Sequence, residues 1–220
     1  MEQNVSIYLD SAIIAEAQAA KELGWVKGIT TNPTLLAKSD LPVETTLKRL
    51  AQLTTGPLFY QLMSSDFDEM LAEGRAAFGI IGQQTILKIP AALVGFQVVA
   101  ALQGEIPCAV TGIYSAAQAA IAKEAGAKYA IAYVNRATKL LGDGIALVQQ
   151  MANVVKGSDT KIMAASIKSP EEAVASLQAG ANSLTLPLAM LQNMTNHELS
   201  LQTIDEFAKH GRGIWVSCKI

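Results

Sequence analysis

The chain has 220 residues, half of them hydrophobic and only 16% charged, which excludes a disordered polypeptide and suits one domain with its own core. A net charge of −2 carries no footprint for nucleic acid or an anionic membrane, and two cysteines, Cys108 and Cys218, are too few for a disulfide framework. With 5% aromatic residues against 35 alanines, the composition favours helices packed closely on a sheet over an aromatic-rich sandwich.

Met1 to Asn4 carry no basic leader, and no apolar run reaches the ~18 residues of a membrane span, so a cytoplasmic protein is expected. Short β-branched and apolar runs then alternate with alanine-rich segments of helical spacing. A strand is expected at 5–10 and a helix at 12–23, then a strand at 26–30 and two short helices over 33–53. Strands at 58–63, 85–89 and 108–113 are each followed by a helix, at 67–80, 93–103 and 115–125. The remaining strands are 129–134, 161–166 and 183–186, with helices at 139–155 and 170–179 between them. Ser11, Asp66, Ser115 and Ser169 stand where helix N-caps are wanted. Gly24, Gly104, Gly126, Gly157 and Gly180 stand just past helix ends, where a left-handed residue closes the last turn. Eight successive strand–helix units without a long insertion predict a (β/α)8 TIM barrel over residues 1–220, with 197–220 as a C-terminal helix and tail. An open doubly wound sheet is the structural alternative.

In such a barrel, the working side chains emerge from the C-terminal ends of the strands. Those ends bring Asp10, Thr30 with Asn32, Gln61, Lys88, Thr111, Tyr133 with Arg136, and Ser166 with Lys168. Strand eight ends at Pro187 with no functional side chain. Lys88 stands out because Ile86, Leu87, Ile89 and Pro90 flank it. A lysine there either snorkels to the rim or loses hydration, which frees its amine as a nucleophile for Schiff-base chemistry with a carbonyl. Asp10 is the only carboxylate at these ends and reads either as a helix cap or as a proton acceptor or donor. Thr30, Asn32, Gln61 and Thr111 either satisfy loop backbone or form a neutral ring suited to a polyhydroxylated substrate. Tyr133 is a core aromatic or a phenol near the reacting carbon, and Arg136, Ser166 and Lys168 could clamp a phosphate. No nucleotide-binding glycine motif and no H-E-x-x-H occurs, and His197 and His210 lie far from every strand end, so neither a cofactor nor a metal is expected.

The segments Ile29-Thr30-Thr31-Asn32-Pro33, Leu87-Lys88-Ile89-Pro90, Tyr133-Val134-Asn135-Arg136 and Ala164-Ala165-Ser166-Ile167-Lys168 resemble signature segments of the transaldolase family, in the expected order. The short length resembles the small-subunit branch that includes fructose-6-phosphate aldolases. Gln61 and Tyr133, where larger transaldolases tend to have Glu and Phe, resemble the aldolase type. The resemblance implies a metal-free class I mechanism, a place in sugar-phosphate metabolism, and a homo-oligomer of two pentameric rings. It implies that Lys88 is the Schiff-base lysine and that Asp10, Asn32, Gln61 and Thr111 orient hydroxyls and a catalytic water. Tyr133 becomes the proton-transfer phenol, and Arg136, Ser166 and Lys168 the phosphate site. The chain departs from the family pattern at Ala92-Leu93-Val94-Gly95, at Ala132 and in the tail around Trp215.

The resulting expectation is reversible cleavage of fructose 6-phosphate to dihydroxyacetone and glyceraldehyde 3-phosphate. The alternatives are transaldolase transfer of the dihydroxyacetone unit and a non-catalytic phosphosugar-binding barrel.

Overall fold

The computed structural model of the chain describes residues 5–214; Cys218 and the tail from Trp215 onward lie outside them. Its elements run β1 (Ser6–Asp10), α1 (Ile14–Glu22), β2 (Ile29–Thr30), α2 (Pro33–Leu36), α3 (Val43–Leu53), β3 (Leu58–Gln61), α4 (Phe67–Ile81), β4 (Thr85–Pro90), α5 (Leu93–Ala101), β5 (Cys108–Ile113) and α6 (Ala116–Glu124). They continue with β6 (Tyr129–Tyr133), α7 (Val134–Leu141), α8 (Gly144–Val155), β7 (Lys161–Ala165), α9 (Pro170–Gln178), β8 (Ser183–Leu186), α10 (Leu188–Asn193) and α11 (Glu198–His210). All eight strands are parallel and pair in chain order, and β8 closes on β1 through Ser6↔Ser183 to Leu9↔Leu186. This is the (β/α)8 barrel, with α11 as its C-terminal helical extension.

Alternation along the strands divides the core in two. Leu9, Leu58, Leu87, Val110 and Leu184 face outward and pack under the helices. Tyr8, Phe59, Ile86, Ala109, Tyr129, Ile131 and Met163 fill the barrel interior. There Phe59 meets Tyr8 and Tyr129 edge-on, at 5.5 and 5.3 Å between ring centroids, and the two phenols hydrogen-bond at 3.2 Å. The interior is therefore a solid floor beneath the mouth.

Asp66, Ser115 and Ser169 cap α4, α6 and α9 through their side chains. All five glycines expected to close helices have positive φ. Ser11 is not the cap of α1: the helix begins three residues later, after Ile13, whose N–H donates to Ser11 Oγ. The single helix expected over 139–155 is two. Gly142, at φ 94°, ends α7, and the side chain of Asp143 caps α8. Strand six stops at Tyr133, one residue early, because α7 begins at once and places Arg136 in its first turn. Strand two pairs only at Ile29 and Thr30, and α10, directly after Pro187, was not anticipated. Among the described residues, no helix is long and apolar enough to cross a membrane.

Candidate active site

Two residues beyond the floor, on the same inward face, stand Asp10 after Tyr8, Gln61 after Phe59, Lys88 after Ile86, Thr111 after Ala109 and Tyr133 after Ile131. A two-residue period thus carries the strands from an apolar floor to a polar mouth. The mouth is a cavity of about 420 Å³ lined by Asp10, Asn32, Gln61, Lys88, Tyr133, Arg136, Ser166 and Lys168, together with Thr34 and Thr185. Eight of the ten site residues expected from the sequence meet there. Thr30 and Thr111 stand directly behind, each bonded to a lining residue.

Lys88 is only 4% exposed. Its Nζ donates to the Thr31 carbonyl at 2.8 Å, so the amine is anchored to the loop after β2. Loss of hydration holds its pKa below the ordinary 10.5, and the Asp10 carboxylate opposes part of that shift. The next residues keep this geometry in place. Gly95 in α5 admits no side chain, since a Cβ there would stand 2.1 Å from the Pro90 carbonyl oxygen. Within the segment 92–95, Gly95 is thus fixed by close packing, and Ala92 precedes α5 as an N-cap without a side-chain hydrogen bond.

Asp10 accepts from Thr30 Oγ1 at 2.7 Å, lines the cavity and is not the cap of α1. Asn32 lines the cavity and also caps α2, its side-chain oxygen accepting from Leu35 N. Thr111 Oγ1 donates to the Tyr133 hydroxyl at 3.0 Å, which leaves the phenol proton free to point elsewhere. Burial raises the Tyr133 pKa; the Thr111 bond and Arg136 pull it down, while Asp10 pushes it further up. The phenol is therefore a donor at neutral pH. Gln61 Oε1 is buried and has no protein partner, an orphaned acceptor at the mouth.

The cationic side of the cavity is built from the first turn of α7 and the loop after β7. Arg136 lies over the Tyr133 ring, 5.0 Å from guanidinium carbon to centroid. Ser166 takes a left-handed φ of 61°, ending β7 one residue before the expected boundary. Asn135 N donates to the Ser166 carbonyl, and Glu172 in α9 accepts from Lys168 N and Asn135 Nδ2. Glu172 was not recognised from the sequence, where a carboxylate in a first helical turn reads as a complement to the helix dipole. Thr185 was missed as well, and it corrects the expectation that strand eight brings nothing. A threonine inside Ser-Leu-Thr-Leu reads as ordinary strand composition. Among the described residues, no three His, Cys, Asp or Glu side chains gather as metal ligands. Cys108 is buried, bonded to the Ile106 carbonyl, with its thiol pushed up to about 12, so it is no nucleophile.

A family model described as Transaldolase/Fructose-6-phosphate aldolase matches residues 7–213. The chain belongs to the transaldolase/fructose-6-phosphate aldolase family. Among curated relatives, a probable transaldolase of Aquifex aeolicus is 32% identical over 93% of this chain and 95% of its own. One of Hydrogenobaculum sp. is 35% identical over the same shares, and "Probable transaldolase 1" of Listeria monocytogenes is 32% identical over 91% and 94%. Solved structures of lower identity share the barrel alone. A mandelate oxidase variant superposes with a TM-score of 0.61 at 17% identity, covering 93% of this chain and 75% of that one. Inosine 5′ monophosphate dehydrogenase of Legionella pneumophila does so with 0.60 at 14%, covering 85% and 58%. The family relation makes the mouth with Lys88 the candidate active site.

Proposed function

We propose that this family member is a class I aldolase that cleaves fructose 6-phosphate reversibly to dihydroxyacetone and glyceraldehyde 3-phosphate. The observation that carries the reading is Lys88, a buried amine of lowered pKa facing a polar cavity. Neutral at a larger fraction than a free lysine, its Nζ adds to the C2 carbonyl, and loss of water leaves an iminium. The C4 hydroxyl gives its proton to Asp10 as the C3–C4 bond breaks, and that electron pair flows into the iminium. Glyceraldehyde 3-phosphate departs. The remaining enamine takes a proton at C3, and water releases dihydroxyacetone and the free amine. Tyr133 as donor and the unpartnered Gln61 Oε1 as acceptor suit that water. Thr30, Asn32 and Thr111 orient hydroxyls or the groups that meet them, and Arg136, Ser166 and Lys168 take the phosphate. No step needs a metal or a cofactor.

The relatives, named as probable transaldolases, favour a second reading, transaldolase, in which the enamine waits for an aldehyde acceptor. Incubation with fructose 6-phosphate alone separates the two: the aldolase releases glyceraldehyde 3-phosphate, and the transaldolase releases none until an acceptor such as erythrose 4-phosphate is added. A chelator leaves the rate unchanged; its loss would point to metal-assisted chemistry instead. A phosphosugar-binding barrel without lyase activity would give no borohydride-trapped adduct at Lys88. We further propose a homo-oligomer, as the resemblance implies; the apolar face of α11, exposed among the described residues, supports it.

A further inference from the structure

We infer that Thr185 is a substrate-contacting residue that accepts a hydroxyl of the donor ketone, held in that role by a directed chain of hydrogen bonds from Thr185 through Thr30 to Asp10.

The argument is a count of protons. Each threonine hydroxyl has one proton to donate and two lone pairs. Thr30 spends its proton on Asp10 Oδ1, at 2.7 Å. Thr30 Oγ1 also lies 2.5 Å from Thr185 Oγ1, and with its own proton committed it can only accept there. Thr185 must therefore be the donor of that bond. Its single proton is used, and no other protein hydrogen bond to its hydroxyl occurs among the described residues. Thr185 is 3% exposed and lines the cavity, while Thr30 is fully buried behind it. The face that Thr185 turns to a ligand can accept and cannot donate.

Such a group has a narrow taste. It welcomes hydroxyl and ammonium donors and repels the acceptor-only oxygens of phosphate or carboxylate. Asp10 beside it has the same sign of preference. Arg136 and Lys168, across the same cavity, have the opposite one. The cavity is therefore polar in a directed sense, with a hydroxyl-reading wall on β1 and β8 and an anion-reading wall after β6 and β7. A ketone bound to Lys88 with its hydroxyls toward Thr185 leaves its phosphorylated end on the cationic side.

This inference rests on the Schiff-base reading, and the test keeps the two apart. Borohydride trapping at Lys88, read by intact mass, is titrated with dihydroxyacetone and with acetone, which lacks hydroxyls. Thr185→Val, of the same shape without the hydroxyl, raises the half-saturating dihydroxyacetone concentration roughly five- to tenfold and leaves acetone within about twofold. Thr185→Ser restores the parent value for both ketones. Equal shifts for both ketones, no shift for either, or a Ser variant that behaves like Val would each overturn the role of Thr185. If the parent protein traps neither ketone, the Schiff-base reading fails, and this inference with it.

Discussion

An amine buried in the barrel mouth gives up hydration that one bond to the Thr31 carbonyl replaces only in part. Between the lowered pKa of Lys88 and the ordinary 10.5, the folded chain binds fewer protons than the unfolded chain. Stability therefore rises with pH across that window, and below it the full penalty applies. Lys88→Met abolishes turnover and borohydride trapping. It also stabilises the fold at pH 7 by about 1–2 kcal/mol, less whatever the Asp10 attraction contributed. Urea unfolding at a series of pH values checks this, because the advantage of Met shrinks as pH climbs toward 10.5. A variant that loses activity and stability together would assign Lys88 to packing. Tyr133→Phe removes the donor that Thr111 leaves free. It slows acceptor-free cleavage by roughly 10²-fold or more while trapping at Lys88 persists, as a stopped assay beside mass spectrometry would record. These residues were legible in the sequence because each departs from its surroundings: a lysine among Ile and Leu, a carboxylate at a strand end, an arginine after a tyrosine. Thr185 departs from nothing, and only the hydrogen-bond chain reveals it.

At the scale of elements, the cationic wall depends on the first turn of α7 and the loop after β7, which follow different strands. Glu172 sits in the first turn of α9 and takes the backbone N–H of Lys168 at 2.6 Å and the Asn135 side chain at 3.3 Å. One carboxylate thus ties the segment after β7 to the start of α7, next to Arg136. Glu172→Ala unties both segments, and the expected result is a KM for fructose 6-phosphate raised roughly tenfold, with kcat changed less. Aldol addition of dihydroxyacetone to unphosphorylated glyceraldehyde should be spared, since it does not use the cationic wall. Glu172→Gln, which still accepts from Lys168 N, stays close to the parent. Steady-state kinetics of both reactions decide it; equal losses would mean that the barrel as a whole has loosened. The elements themselves could largely be read from composition, and the failures have local causes. Helical spacing over 139–155 hides the break at Gly142, because only φ distinguishes a closing glycine from one inside a helix. Tyr133 reads as strand and is strand, but nothing in its neighbours reveals that α7 starts at the very next residue.

Across the whole molecule, the barrel buries its helices on one side and leaves α11 with no buried residue. Leu201, Ile204 and Phe207 recur every third residue and are 58%, 62% and 71% exposed, with Leu199 beside them. Full burial of side chains of this kind is worth roughly 1.5–3 kcal/mol each, so a stripe of four is a large free energy for one helix to leave in water. A helix after residue 197 is expected from the sequence, and the structure places it at Glu198–His210, with the His197 side chain as its cap. Its covering surface could not, because that surface belongs to no neighbouring stretch of sequence. If a second copy supplies the cover, Ile204→Asp with Phe207→Asp puts two charges into a buried contact and divides the assembly. Light scattering behind size exclusion should then report a smaller species, with the far-ultraviolet dichroism of the barrel retained and the melting temperature lowered. A mass that remains that of a single chain in both the parent and the variant would refute the oligomer. A common larger mass in both would place the subunit contacts elsewhere on the barrel and leave the stripe on α11 uncovered.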